Sequence, residues 1–248
     1  MTWSLIARDR DGTIGIAVAS RFFACGSLVP YIGRRSAVAT QAFVNPVWGT
    51  EGLRRMEAGE DARSVLHDLV SRDHGAAQRQ AHLLDAEGHF VAHTGSDCIE
   101  WAGHLTGKDH SVAGNMLAGP DVIAETARVY AACEDLPLPE RMLTAMEAGE
   151  AAGGDKRGRQ AAALRIHRCT AHPWLDMRAD DHADPLAELR RLLAVAAERY
   201  LIMAEAIPTE TRFSGLPDRR DIDQRIAEAD DARARTGRPT ASFATSKD

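Results

Sequence analysis

Thr2 is the first residue of the chain whose type and position could do chemistry on its own. Methionine aminopeptidases remove Met1 when the next residue is small, and threonine qualifies. Removal would leave a free α-amine on the residue that also carries a hydroxyl. An α-amine titrates near pH 8. Directly or through one water, it can take the proton of its own hydroxyl and activate it as a nucleophile. One residue would then supply nucleophile and base, with no need for a His/Asp pair. The same Met-Thr start also fits an inert terminus.

Other residue types could assist such chemistry. Asn115, in AGNMLAGP, could offer its amide, or backbone N–H groups beside it, to an oxyanion; an Asn in a left-handed turn is the alternative. Asp155, Lys156 and Arg157 lie in the Gly-rich loop AGGDKRGRQ. They could clamp a carboxylate or support the amine, or pair among themselves to fix a surface turn. Gln41 and Asn45, in TQAFVNP, could bond an amide substrate, although Asn45-Pro46 is also a turn signal. Ser20 and Arg21 end the second strand, which a short hairpin returns to the end of the sheet where Thr2 begins. Arg21 there could bind a substrate carboxylate or be a solvated strand-end cation. His93, in VAHTGSDC, shares a strand face with His89, but no third ligand is placed, so no metal site is assigned. DDHAD (180–184) reads as a helix-capping stretch, and Cys25 as a small buried thiol.

These residues need elements to hold them. Thr2 to Arg8 alternates, Asp9 to Thr13 contains Asp-Gly, and IGIAVAS follows, which predicts an opening hairpin. A third strand is expected at Ala37 to Phe43. Helices are expected at Gly49 to Ala58 and after an Asp61 cap, where Val65, Leu66, Leu69 and Val70 form a stripe. A second β block runs from Gln80 to about Ala113, then helices at about Pro120–Glu134 and Pro139–Ala151. Strands are expected at Ala161–His167 and Leu175–Ala179. Asp184-Pro185 opens a long helix with Leu186, Leu189, Leu193, Ala197, Tyr200 and Leu201 on one face. Strands and helices come in blocks, which favours antiparallel sheets covered by helix pairs over a Rossmann sheet. The expected domain spans 1–207. Residues 208–248 form a polar extension, with a charged helix near Asp218–Arg235 and a disordered last dozen residues.

Composition narrows the function classes. The net charge of −6 and 5% aromatic content argue against a nucleic-acid partner. There is no run of about 18 apolar residues, so no membrane partner is expected. The N-terminus does not read as a signal peptide. Four scattered cysteines fit free thiols in a reducing cytoplasm.

Six separated segments, in order, carry a resemblance: TWSLIARD; IGIAVASRFFACGSLVP; ATQAFVNP followed by WG; HTGSDCIEWAGH; AGNMLAGPDV; and EAGEAAGGDKRGRQAAAL. They resemble the bacterial and archaeal family labelled domain of unknown function 1028, grouped with the N-terminal-nucleophile (Ntn) hydrolases. The resemblance covers about Thr2 to Leu193 and implies an α+β, four-layer αββα sandwich of antiparallel sheets. It implies amide-bond cleavage with Thr2 as nucleophile, a pocket built by loops at one end of the sandwich, and possible homo-oligomers. Some relatives carry a C-terminal peptidoglycan-binding module; the short polar tail after Ile207 is not assigned to it. The resulting expectation is an amidohydrolase for a small amide or peptide-like substrate, with Thr2, Asn115 and Lys156 catalytic and no cofactor. The alternative is a non-catalytic small-ligand-binding or assembly protein on the same scaffold, with Met1 retained.

Overall fold

The computed structural model describes residues 2–237 and 239–245. Met1, and with it the expected removal of that residue, lies outside the described residues, as do four positions of the tail, counting Arg238 and the last three. The chain divides into a unit ending at Leu189 and a second beginning at Arg190.

The first unit opens with strands β1 (Thr2–Arg8) and β2 (Ile14–Ser20). Their turn closes through Asp9 N–H to Thr13 O at 2.8 Å and Gly12 N–H to Asp9 O at 3.0 Å. Gly12 sits at φ 85°, a conformation that a side chain would strain. The pairing sets Trp3 opposite Ala19. A short strand β3 (Pro30–Ile32) follows, then β4 (Ala37–Ala42).

Helix α1 spans Pro46–Glu57, so it starts three residues before the Gly49 expected from the apolar pattern. The Asn45 side chain accepts the Val47 N–H at 3.0 Å, and Pro46 takes the first helical position. What reads as a turn is a helix cap. Helix α2 (Ala62–Arg72) is capped by Asp61, which accepts Ser64 N–H at 2.9 Å, as expected. The second β block resolves into β5 (Arg79–Leu84), β6 (Phe90–Thr94), β7 (Gly103–Thr106) and β8 (His110–Asn115). Helices α3 (Asp121–Ala132) and α4 (Leu138–Ala151), strands β9 (Ala161–His167) and β10 (Leu175–Ala179), and the start of α5 (Pro185–Val195) complete the unit.

Two antiparallel sheets result. One has the order β10-β9-β2-β1-β8-β7, the other β3-β4-β5-β6. The period-two pattern gives each sheet two different faces. Ile6, Ile14, Ile16 and Val18 of the larger sheet meet Ile32, Ala37, Ala39 and Leu84 of the smaller one. On the other face of the smaller sheet, Val38, Ala81 and Leu83 pack under Trp48 and Met56 of α1 and Val65, Leu66 and Leu69 of α2. Helices α3 and α4 pack on each other and on the larger sheet. There Gly15 leaves room for Met142: a Cβ at Gly15 would stand 2.4 Å from its sulfur. The layers therefore run helix pair, sheet, sheet, helix pair.

In the second unit the helical path continues through a π turn at Ala196–Tyr200 into α6 (Leu201–Ala204). The charged helix α7 spans Arg220–Arg235. It is tied by Arg225–Glu205 at 2.7 Å and by Arg199–Asp230. Residues 239–245, expected to be disordered, take no helix or strand, but Ala241 N–H donates to Glu198 at 2.7 Å and Arg191 lies over the Phe243 ring. No helix among the described residues is long and apolar enough to cross a membrane.

Candidate functional site

Thr2 heads β1, inside the larger sheet, between β2 and β8. It is almost wholly buried. Its hydroxyl lies 3.1 Å from the Ser20 hydroxyl, as the hairpin predicts. On the other side Thr2 stands opposite Asn115 in the β1–β8 register.

The space between the sheets is apolar along the hairpin but polar behind Thr2. Gln41 and Asn115 both donate to the Thr2 carbonyl, each at 3.3 Å. Both also donate to Gln80 Oε1, at 2.9 and 3.0 Å. Gln80 Nε2 in turn donates to Gly114 O at 2.8 Å, Gly103 O at 3.0 Å and Thr94 Oγ1 at 2.9 Å. The Ser4 hydroxyl donates to Gln41 Oε1 at 2.7 Å. His82 Nε2 is 2.8 Å from that hydroxyl, and His82 Nδ1 is 3.0 Å from the Ser111 hydroxyl. Since Ser4 spends its proton on Gln41, it accepts from His82 Nε2–H, and Nδ1 accepts from Ser111. Burial, reinforced by His104, pushes the His82 imidazole down to about 3, so it is neutral at ordinary pH. Each buried polar group thus has a partner, which makes this a rigid bed rather than a defect.

The Gly-rich loop docks at the same end. Asp155 is buried and accepts Arg21 N–H at 2.7 Å and Arg157 N–H at 2.8 Å. Arg157 donates to the Arg21 carbonyl at 2.9 Å and lies 3.4 Å from Asp155. A bridge between Leu117 and Asp155 ties the loop to the chain leaving β8. Lys156 Nζ donates to Glu100 O at 2.7 Å. Asp155 and Arg157 therefore shape the loop, Asp155 through main-chain N–H groups and Arg157 through the Arg21 carbonyl.

The sequence-predicted residues separate into two groups. Thr2, Ser20, Gln41 and Asn115 come into direct contact, and Arg21, Asp155, Lys156 and Arg157 adjoin them. Asn45 and His93 do not join them. Asn45 caps α1 and donates to Asp73 at 2.8 Å. His93 Nε2 is 2.9 Å from Ala76 O, and its ring meets Trp48 of α1, on the outer face of the smaller sheet. Its neighbour Thr94 faces inward and bonds Gln80. Asn115 has both amide protons engaged, and the Met116 and Leu117 N–H groups donate to Ile99 O and Trp101 O. In this arrangement Asn115 holds Thr2. Cys25 is buried and its thiol is pushed up to about 12, chiefly by burial, which keeps it protonated at neutral pH and fits the buried thiol read from the sequence. Asp184 accepts Ala187 N–H at 3.2 Å, the capping role read for DDHAD. Among the described residues no group of three or more His, Cys, Asp or Glu could hold a metal ion.

Sequence reasoning missed Ser4, Gln80, His82, Thr94 and Ser111. The available signal was their alternation: Gln80, His82 and Leu84 share one strand face, so two polar residues must point where the core lies. A cavity of about 650 Å³ lies at the opposite end of the sheets, lined by Arg8, Arg10, Lys108 and Arg141 among others. It is remote from this site.

A layered α/β fold of two antiparallel sheets, with a buried polar cluster at one strand end, is the class of protein defined here. The chain belongs to the DUF1028 family, a family of unknown function whose model matches residues 2–189. It is similar to the crystal structure of protein SPO2555 from Silicibacter pomeroyi, a DUF1028 protein. The TM-score is 0.81 at 29% identity, over 88% of this chain and 96% of that one. No curated protein matches the chain in sequence.

Proposed function

We propose that the unit ending at Leu189 is an Ntn-type amidohydrolase, its layers forming the αββα sandwich of that superfamily, with Thr2 as nucleophile after removal of Met1. The observation that carries the reading is how Thr2 is held. A residue at the head of a strand has no structural need for two buried carboxamides on its carbonyl, yet Gln41 and Asn115 both supply one. That grip fixes the backbone to which both the amine and the hydroxyl are attached, the orientation that makes catalysis effective.

The α-amine takes the hydroxyl proton, and the oxygen attacks the amide carbon. The C–N bond then breaks, the proton leaves with the amine product, and water hydrolyses the Thr2 ester. Ser20, hydrogen-bonded to the nucleophile, orients its hydroxyl. Asn115 acts in this scheme as a positioning residue, and Arg21 and Lys156 supply positive charge for an anionic substrate group. The substrate is a small amide or peptide-like molecule, the protein works in the cytoplasm without a cofactor, and homo-oligomers are part of the reading.

The test combines two measurements. Intact mass of the native protein should show loss of Met1. In a screen of small amides, Thr2→Ala should abolish turnover with the fold retained, and Thr2→Ser should keep part of it. Retained Met1, or turnover indifferent to Thr2→Ala, would favour the non-catalytic binding protein instead.

A further inference from the structure

Five of the seven exposed large apolar side chains of the first unit lie at the Thr2 end, and they are the most exposed ones; Leu105 (39%) and Leu136 (42%) lie elsewhere. Phe22 is 54% exposed, Phe23 62%, Phe43 67%, Val47 57% and Ile99 56%. Phe22 and Phe23 follow Ser20 at the end of β2. Phe43 follows β4, whose Gln41 holds the Thr2 carbonyl. Val47 is the second residue of α1, which follows β4. The Ile99 carbonyl accepts the N–H of Met116, next to Asn115, at 2.7 Å. The turns at the opposite end are charged instead: Arg8 to Thr13, Gly33 to Ser36 and Gly107 to Asp109. Clustered exposed aromatics of this kind mark a binding surface.

The same end also carries two cations outside its ion pairs, near the acidic side chains of Asp97 and Glu100 that flank Cys98-Ile99. Arg79, Arg157 and Arg159 are paired with Asp73, Asp155 and Glu150. The guanidinium of Arg21 and the ammonium of Lys156 have no carboxylate partner among the described residues. Arg21 is exposed and directly follows Ser20, whose hydroxyl touches that of Thr2, while its main chain is held by Asp155 and Arg157. A fixed backbone, a solvent-facing cation and two exposed phenyl rings thus stand in three consecutive residues beside the nucleophile.

We infer that the substrate class is the N-acyl amino acid with a bulky apolar acyl group, which rests on the Thr2 reading above. The acyl group lies against the Phe22, Phe23 and Ile99 rim, and the amino acid carboxylate meets Arg21. Thr2 attacks the acyl carbon, the free amino acid departs, and water releases the apolar carboxylic acid.

The probes are the acetyl, hexanoyl, decanoyl and phenylacetyl derivatives of one amino acid, and decanoyl ethylamide, which lacks the carboxylate. With protein verified to lack Met1, kcat/KM should rise roughly tenfold or more from acetyl to decanoyl, since each buried methylene favours binding. Arg21→Gln should lower kcat/KM for decanoyl amino acid more than for decanoyl ethylamide. The double variant Phe22→Ser/Phe23→Ser should shrink the decanoyl-to-acetyl ratio. Calorimetric binding of decanoyl amino acid to Thr2→Ala reads the site apart from the chemistry. Binding weakened by Arg21→Gln, with no turnover by wild type, would sink the hydrolase while keeping this ligand assignment. Thr2-dependent turnover of other amides, with no preference for apolar acyl groups or for the carboxylate, would do the reverse. A double variant that altered only the oligomeric mass, leaving the acyl preference intact, would make the rim a contact between copies and overturn the inference.

Discussion

The hydroxyls of Thr2 and Ser20 lie 3.1 Å apart, across the antiparallel pair that the Asp9–Thr13 turn creates. Thr2 is thereby held by its own hairpin as well as by the longer-range contacts from Gln41 and Asn115. A neutral hydrogen bond of this kind contributes ~1 kcal/mol net, about a fivefold effect on rate where it aligns a nucleophile. Ser20→Ala is expected to lower kcat by about that factor and to lower the thermal midpoint by only about 2–4 °C. Thr2→Ala should remove turnover altogether. Equal losses for the two variants would mean that Ser20 does more than orient.

Gln80 is the hub of the bed beneath Thr2. Its carbonyl takes protons from Gln41 and Asn115, and its amide serves Thr94, Gly103 and Gly114. Gln80→Leu keeps the bulk but takes the acceptor from one Asn115 amide proton and the side-chain donor from Thr94 and from the Gly103 and Gly114 carbonyls, in a buried place; Gln41 keeps Thr2 O and Ala113 O. A buried polar group left without a partner costs ~1–3 kcal/mol, so the variant should lose roughly 2–4 kcal/mol in urea unfolding. A loss within about 0.5 kcal/mol of zero would show that water enters the layer freely.

How much of this was readable in the sequence depended on distance along the chain. The hairpin was legible because the Asp-Gly turn and the alternation on both sides are local. So was the α2 cap, three residues from the amide it serves. The start of α1 was missed because Asn45-Pro46 signals a turn and a cap with the same two residues. Strand β3 is three residues long and begins with proline, too short for any period to register. The polar bed was hidden for a different reason. Ser4 meets Gln41 across 37 residues and His82 across 78, so no local pattern joins them. His93 was singled out where its neighbour Thr94 does the bonding, because the strand's register decides which of two adjacent residues faces inward.

Gly149 tests the opposite layer. A Cβ there would stand 2.2 Å from Thr126 Oγ1 and 3.1 Å from Trp3 Nε1, where α4 crosses α3 and covers β1. Helix propensity favours alanine over glycine by ~1 kcal/mol. Overpacking of a tight contact costs ~1–3 kcal/mol. The clash should prevail, so Gly149→Ala is expected to be destabilising by roughly 1 kcal/mol and to disturb Trp3, the residue next to Thr2. A stabilised variant by thermal melting would show that the helices separate easily.

His82 makes stability depend on pH in a defined window. Its imidazole is held down to about 3, chiefly by burial, whereas in the unfolded chain it titrates at the ordinary 6.5. Between those values the unfolded state binds one proton more than the native state. Stability is therefore full above pH 6.5 and falls as the pH drops towards 3, by at most ~1.4 kcal/mol per pH unit from this group. His104 and His167 are also depressed, mainly by burial, and act with the same sign. Asp85, lowered by N–H donors that outweigh its burial, enters only at more acid pH, near the ordinary carboxylate range. The interval from pH 6.5 to 5 thus isolates the histidines. His82→Gln, which keeps hydrogen-bonding groups but cannot titrate, should flatten the fall in urea-unfolding free energy across that interval. Identical slopes for variant and wild type would mean that His82 is protonated in the folded protein, and the directional chain from Ser111 through His82 and Ser4 to Gln41 would have to be redrawn.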